Sequence, residues 1–191
     1  LREVPFGNDG DFSHSAMVNR MNGELANDYG NLAQRVLSMV TKNCGGTVPT
    51  PGDFTDEDKA LLDPAAALLD VVRGALDRQA FHEALEAIWT VIRAANAYVD
   101  HQAPWKLRKE DPARMATVLY VLAETIRRLA ILTQPFMPDT SAKLLDQLSV
   151  AADARALDQL AAGVALAPGA ALPKPEGVFP RFQDDETQGA A

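Results

Sequence analysis

The chain has 191 residues, 18 Lys and Arg against 26 Asp and Glu, and a formal charge of −8. At 47% apolar and 23% charged it has the composition of a globular chain rather than a disordered one, and its length suits one domain with or without tails. A single cysteine, Cys44, excludes an internal disulfide framework and a Cys-rich zinc site, and no apolar run approaches the roughly 18 residues of a membrane span. No basic start followed by an apolar stretch marks a signal peptide, and the first residue is Leu1 rather than Met. That combination reads as an excised piece of a cytoplasmic protein. Taken alone, the acidity argues against a nucleic-acid partner.

Alanine, the best helix former, accounts for 32 residues, and strand-like alternation is nearly absent. Residues 1–12, rich in Gly, Pro, Asn and Asp, read as an extended lead-in. Ser13 caps a first helix over 14–42, with Met17, Met21, Leu25, Leu32, Val36 and Met39 at helical spacing. Gly45-Gly46 and Pro49 end it. Thr55 followed by Asp56, Glu57 and Asp58 suits the positive end of a helix dipole, and Asp63-Pro64 gives a second cap. These signals predict a short turn over 55–61 and a helix over 64–77. A third helix, 80–101, buries Phe81, Leu85, Ile88, Ile92, Ala95 and Val99 and stops before Pro104. Asp111-Pro112 opens a fourth, 112–134, with Met115, Leu119, Leu122, Ile126 and Leu129 inward, and Pro138-Asp139 a fifth, 139–149.

Residues 151–175 predict a short helix and then an extended stretch, broken by Gly163, Pro168, Gly169, Pro173 and Pro175. Val178-Phe179-Pro180-Arg181-Phe182 is an apolar cluster expected to dock, and residues 183–191 are expected to be disordered. The predicted fold is all-α: an antiparallel bundle of about five helices over 13–150, a short helix and return segment over 151–182, and extended ends.

No catalytic or metal-binding constellation emerges. His14, His82 and His101 lack partners at ligand spacing, Cys44 has no neighbouring base, and Gly45-Gly46 lacks the Lys-Ser/Thr of a phosphate loop. Polar information concentrates in two places. Asn27, Asn31 and Arg35, four apart, share one stripe of the first helix and offer planar hydrogen-bonding groups suited to base edges. Interhelical hydrogen bonds are the alternative use of that stripe. At the end of the third helix, Pro104 fixes the backbone before Trp105, and Lys106, Arg108 and Lys109 follow. An indole held beside cations suits stacking on an unpaired base near phosphates, with Lys106 and Lys109 on the phosphates. The alternative is that Trp105 plugs the end of the core, as Trp89 does at mid-helix. Residues 101–130 carry six basic residues against three acidic, whereas residues 51–70 carry one against six, so the charge is uneven.

Several blocks resemble a known family. Leu1-Arg2-Glu3-Val4-Pro5-Phe6-Gly7, with Asp9-Gly10-Asp11-Phe12-Ser13, resembles the segment just past the catalytic domain of bacterial methionyl-tRNA synthetases. Leu25-Ala26-Asn27-Asp28 with Gly30-Asn31-Leu32-Ala33-Gln34-Arg35 is similar to that family's first anticodon-domain helix, and Gln102-Ala103-Pro104-Trp105 to its anticodon-stacking turn. Thr133-Gln134-Pro135-Phe136-Met137-Pro138 resembles a helix break shared across class I synthetases. Gly177-Val178-Phe179-Pro180-Arg181-Phe182 resembles the closing segment, which folds back toward the body of the enzyme.

The resemblance implies a C-terminal anticodon-binding domain in which Asn31 and Arg35 hydrogen-bond the C of CAU and Trp105 stacks on it. The family's class I signatures and zinc-bearing insertion are absent, so the chain by itself is expected to be inactive and to bind no ATP, methionine, metal or other cofactor. The implied partners are the anticodon loops of initiator and elongator methionine tRNAs and the missing catalytic domain, with the chain monomeric, cytoplasmic and away from membranes. Residues 1–12 and 176–182 are expected to pack on that missing domain and to be mobile without it. The oligonucleotide-binding extension of some relatives is absent, and Tyr29 stands where Leu is expected. A helical protein-interaction module and the anticodon domain of another class I synthetase are the alternatives.

Overall fold

A computed structural model describes residues 1–183. The first helix runs continuously over 14–43 in three joined parts: α1 (His14–Asn19), a π-helical stretch (Arg20–Gly30) and α2 (Asn31–Asn43). Ser13 caps it as expected, its Oγ accepting from the Ala16 N–H at 3.2 Å. The π-helical winding is a departure from the plain α-helix predicted. Asn22, Gly23, Asn27 and Gly30 are weak α formers, so the stretch has little propensity to lose by widening. Its one buried residue is Tyr29, and Met17, Met21 and Leu25 are only half-buried. In α2, Leu32, Val36, Leu37 and Val40 line the core.

The second helical region differs more. Instead of a turn and a separate helix, α3 (Asp56–Asp77) is one helix with Pro64 inside it. Thr55 and Asp58 form a reciprocal capping box, the Thr55 N–H donating to Asp58 Oδ2 at 2.9 Å. Pro64 and Ala60, whose carbonyl loses a donor, both face water. Burial of Leu61, Ala65, Leu68, Val72 and Ala75 on the other face outweighs the roughly 3 kcal/mol that an interior proline costs.

A three-residue connection turns the chain back into α4 (Phe81–Gln102), which packs along α3 and buries Leu85, Ile88, Trp89, Ile92, Ala95 and Val99. A short helix, α5 (Pro104–Glu110), leads to α6 (Pro112–Thr133), buried on all sides over 117–133. The last long helix is α7 (Pro138–Gln147). The five main helical stretches are the all-α bundle expected. The short helix predicted after residue 150 is replaced by two 3₁₀ turns, Ala152–Ala154 and Leu157–Leu160, and a bridge pairs Thr47 with Ala171. The disorder expected of the tail falls almost wholly on residues 184–191, outside the described residues.

Both flanking segments pack on the bundle itself, contrary to the expected mobility. Arg2 bonds the Glu24 carboxylate at 3.2 Å and Glu86 at 2.5 Å, with its guanidinium 5.8 Å from the Trp89 ring centre, and Phe6 meets Phe81 edge-on. At the other end, Asn22 exchanges two hydrogen bonds with the Phe182 backbone, at 2.8 and 3.2 Å. Phe179 packs on Tyr29 with ring centres 5.5 Å apart. The first helix holds the closing segment through Tyr29 and Asn22, and it shares the N-terminal segment with α4, whose Phe81, Glu86 and Trp89 meet Phe6 and Arg2.

Two buried carboxylates organise α6. Glu124 accepts from Arg127 at 2.7 and 2.8 Å, from Arg128 at 2.8 Å and from the Leu166 N–H at 3.0 Å. Both arginines also donate to carbonyls of Gln159, Leu160 and Val164, which binds the return segment to the core. The second carboxylate, Asp58, is wholly buried and accepts from Arg114 Nη1 at 2.5 Å, Arg114 Nη2 at 2.7 Å and the Tyr98 hydroxyl. Burial alone would raise its pKa, but the bonds from Arg114, Tyr98 and Thr55, with the Arg114 charge, hold it at about 2. An unfolded Asp titrates near 4, so this stabilisation is complete above about pH 4 and is lost as pH falls toward 2, on the order of 2 kcal/mol. Urea unfolding at pH about 7, 4 and 2 is expected to show that loss, and Asp58→Asn to be less stable at neutral pH and to lack that share of the acid dependence.

Candidate nucleic-acid interface

The candidate site forms where α4 ends. Ala103 adopts φ 45°, ψ 59°, a left-handed conformation that costs a residue with a Cβ about 1 kcal/mol or more. It reverses the chain between Gln102 and Pro104. Pro104 is buried at the first position of α5, and Leu107, one turn on, packs against Val40, Met115 and Leu119. Trp105 therefore lies on the first turn of α5, and with Pro104 and Leu107 facing inward it points outward, 45% exposed. It does not plug the core. Trp89 does, at 3% exposure.

Arg35 meets this indole from α2. Its guanidinium carbon lies 5.9 Å from the Trp105 ring centre, and Nη2 donates to Asp100 Oδ1 at 2.8 Å. Asp100 is 65% exposed, so the ion pair contributes little stability, about 0–1 kcal/mol. Its effect is to orient the guanidinium fork above the indole. Asn31, exposed, sits one helical turn before Arg35 on the same stripe. The structure thus sets Arg35 against Trp105, with Asn31 one turn away on the Arg35 stripe.

Asn27, a further turn back, is engaged otherwise: its Oδ1 accepts from Arg181 of the closing segment. A groove of about 350 Å³ runs between the first helix and that segment, lined by Asn27, Asn31, Gln34, Phe179 and Arg181. Gly30 allows the approach, since a Cβ there would stand 3.3 Å from the Phe179 side chain. Helical periodicity could not show that Arg181 would join this stripe, because the pairing spans 154 residues. The signal present was a lone arginine inside an apolar closing cluster.

Lys106 and Lys109 are exposed on α5 beside Trp105, as is Arg108. The wider basic face expected over 101–130 is smaller than its count. Arg114 is held by Asp58, and Arg127 and Arg128 are buried against Glu124, so three of its six cations serve the interior. Among the described residues no cluster of three His, Cys, Asp or Glu side chains is placed to hold a metal, and no helix is long and apolar enough to cross a membrane.

The fold is thus an all-α helical bundle with a guanidinium set against a half-exposed indole at the end of α4. Residues 48–190 match the family model described as the anticodon binding domain of methionyl tRNA ligase, and residues 1–37 match that of class I tRNA synthetases (M). The chain is 57% identical over 182 residues to the methionine–tRNA ligase of Mesorhizobium japonicum, covering 95% of this chain and 35% of that protein. It is 53% identical over 194 residues to that of Mycobacterium leprae, covering 100% and 36%. The crystal structure of apo Mycobacterium tuberculosis methionyl-tRNA synthetase superimposes with a TM-score of 0.92 at 54% identity, over 95% of this chain and 37% of that one. The chain belongs to the anticodon-binding domain family of methionyl-tRNA ligases, and it spans just over a third of the length of these relatives.

The groove depends on Phe179 seating against Tyr29, which is fully buried and whose phenol burial pushes upward in pKa. Phe179→Ala is expected to cost about 2 kcal/mol in chemical unfolding. It should also speed amide exchange at Phe182, whose N–H is held by Asn22.

Proposed function

We propose that this chain reads the CAU anticodon of methionine tRNAs, initiator and elongator alike, as the recognition module of a methionine–tRNA ligase. The observation that carries this reading is the Arg35 guanidinium held by Asp100 against the partly exposed Trp105 ring, one helical turn from Asn31. A cytosine stacked on Trp105 presents two acceptors, O2 and N3, and one donor, the N4 amino group. Arg35 has donors only, and Asn31 adds both a donor and an acceptor, which matches that edge. Uracil places an N3–H, and guanine an N1–H and an amino group, against the donors of Arg35, so either is rejected by unmet donors. Lys106 and Lys109 contact the adjoining phosphates, and Asn27 borders the site through Arg181.

Activation of methionine with ATP and transfer to the tRNA belong to the part of the protein beyond this chain. The chain itself works in the cytoplasm as a monomeric domain joined to that catalytic body and supplies no cofactor chemistry.

Fluorescence anisotropy with labelled stem-loops at low salt tests the reading. A CAU loop is expected to bind about 10- to 100-fold more tightly than UAU or GAU loops. Equal affinities would overturn the proposal. Arg35→Ala and Trp105→Ala should abolish the preference while shifting thermal unfolding little, because both side chains are partly exposed. A large loss of stability without loss of RNA preference would instead favour a protein-interaction module. Lys106→Ala and Lys109→Ala should weaken all loops alike, each lowering the log–log salt slope by about 0.7.

A further inference from the structure

Trp105 projects from the only turn in α4–α6 whose backbone is left-handed, and its direction follows from where α4 stops. The side chain of Gln102, the last residue of α4, spans two other helices. Its Oε1 accepts from Arg114 Nη2 of α6 at 2.8 Å, and its Nε2 donates to the Glu57 carboxylate in the first turn of α3. Arg114 is itself immobilised, with both terminal nitrogens on the buried Asp58 carboxylate. The carboxamide immediately before the reversal is therefore clamped to a guanidinium that a buried carboxylate holds at both terminal nitrogens. Ala103 receives no such support from its own side chain, yet it must remain in a sparsely populated conformation.

We infer that Gln102, through Arg114, is a positioning residue for Trp105: it pins the reversal so that the indole is held ready beneath Arg35 before RNA arrives. The inference rests on the reading of Trp105 as the base-stacking group, and it assigns a role to two side chains that contact no nucleotide. An indole fixed in advance loses less freedom on binding a base, so removing the clamp weakens and blurs recognition without dismantling the bundle. Gln102 is partly exposed at a helix end and is bonded to an exposed Glu57, so its loss leaves the core intact.

Gln102→Met keeps the length of the side chain and deletes both hydrogen bonds. The chain has two tryptophans, so their indole N–H signals in a ¹⁵N spectrum are assigned by Trp105→Phe. In Gln102→Met the Trp105 indole should show a lower heteronuclear NOE than in the wild type, with Trp89 unchanged. CAU stem-loop affinity should fall about three- to tenfold, and the ratio of CAU to GAU affinity should shrink. The pair Glu57→Gln with Gln102→Glu keeps position 102 as the acceptor for Arg114 and restores the bond to position 57 with its direction reversed, and it should recover the wild-type NOE and the wild-type ratio. An unchanged Trp105 NOE in Gln102→Met, or a rigid indole with reduced affinity, overturns the inference. If the wild type fails to separate CAU from GAU, the functional reading falls, while the NOE comparison, which needs no RNA, still decides whether Gln102 positions the indole.

Discussion

A carboxylate sealed from water must find its hydrogen bonds inside the protein, and Asp58 finds them on three helices at once. The Thr55 backbone starts α3, Tyr98 lies near the end of α4, and Arg114 lies near the start of α6. Each donor has to arrive at the right height along its helix for the charge to be met. The ends of these three helices are thereby brought level at one edge of the bundle. Arg114 has donor capacity left after Asp58, and it goes to Gln102. A buried ion pair of this kind contributes more to the relative placement of the elements than to net stability, since desolvation offsets much of the attraction.

The same economy explains how an acidic chain can serve as a recognition domain for RNA. Cations that a linear count assigns to a basic face are drawn inward: Arg127 and Arg128 close the return segment over Glu124, and Arg114 neutralises Asp58. The cations left beside Trp105 are few, chiefly Lys106, Arg108 and Lys109. Such a surface has a weak general grip on phosphate, so the proposed function places discrimination on a small set of oriented groups. In the proposed reading Arg35 belongs to that set: Asp100 fixes its direction while leaving it partly exposed.

The first helix carries Asn31 and Arg35 of the candidate site and the contacts that hold the closing segment. Over Arg20–Gly30 it winds as a π-helix, whose asparagines and glycines make that winding cheap. The arrangement seats Tyr29 between Trp89 and Phe179 and leaves Asn22 free to take the Phe182 backbone. The Asp28 carbonyl in this stretch also accepts from the Asn96 amide of α4 at 3.1 Å. Tyr29, unexpected at its position, is the surface on which the closing segment rests.

Local chemistry was readable wherever the signal was local. Helical spacing and proline caps placed α4, α6 and α7 within a few residues, and Asn31, Arg35 and Trp105 stood out by residue type in runs too polar, or too rigid, for bland surface. Pro64 misled, because a proline's cost is local while the burial that overrides it is not. The π winding, the pairing of Arg181 with Asn27 and the clamp on Gln102 were invisible for a related reason. Each joins groups distant in sequence or depends on a hydrogen-bond register that side-chain spacing does not encode. The sequence by itself therefore determined the helices and the reactive surface chemistry, which follow from periodicity and capping. Only the tertiary structure decided which charges turn inward and how the indole and guanidinium face one another, because buried charge must be satisfied by whatever the fold brings within reach.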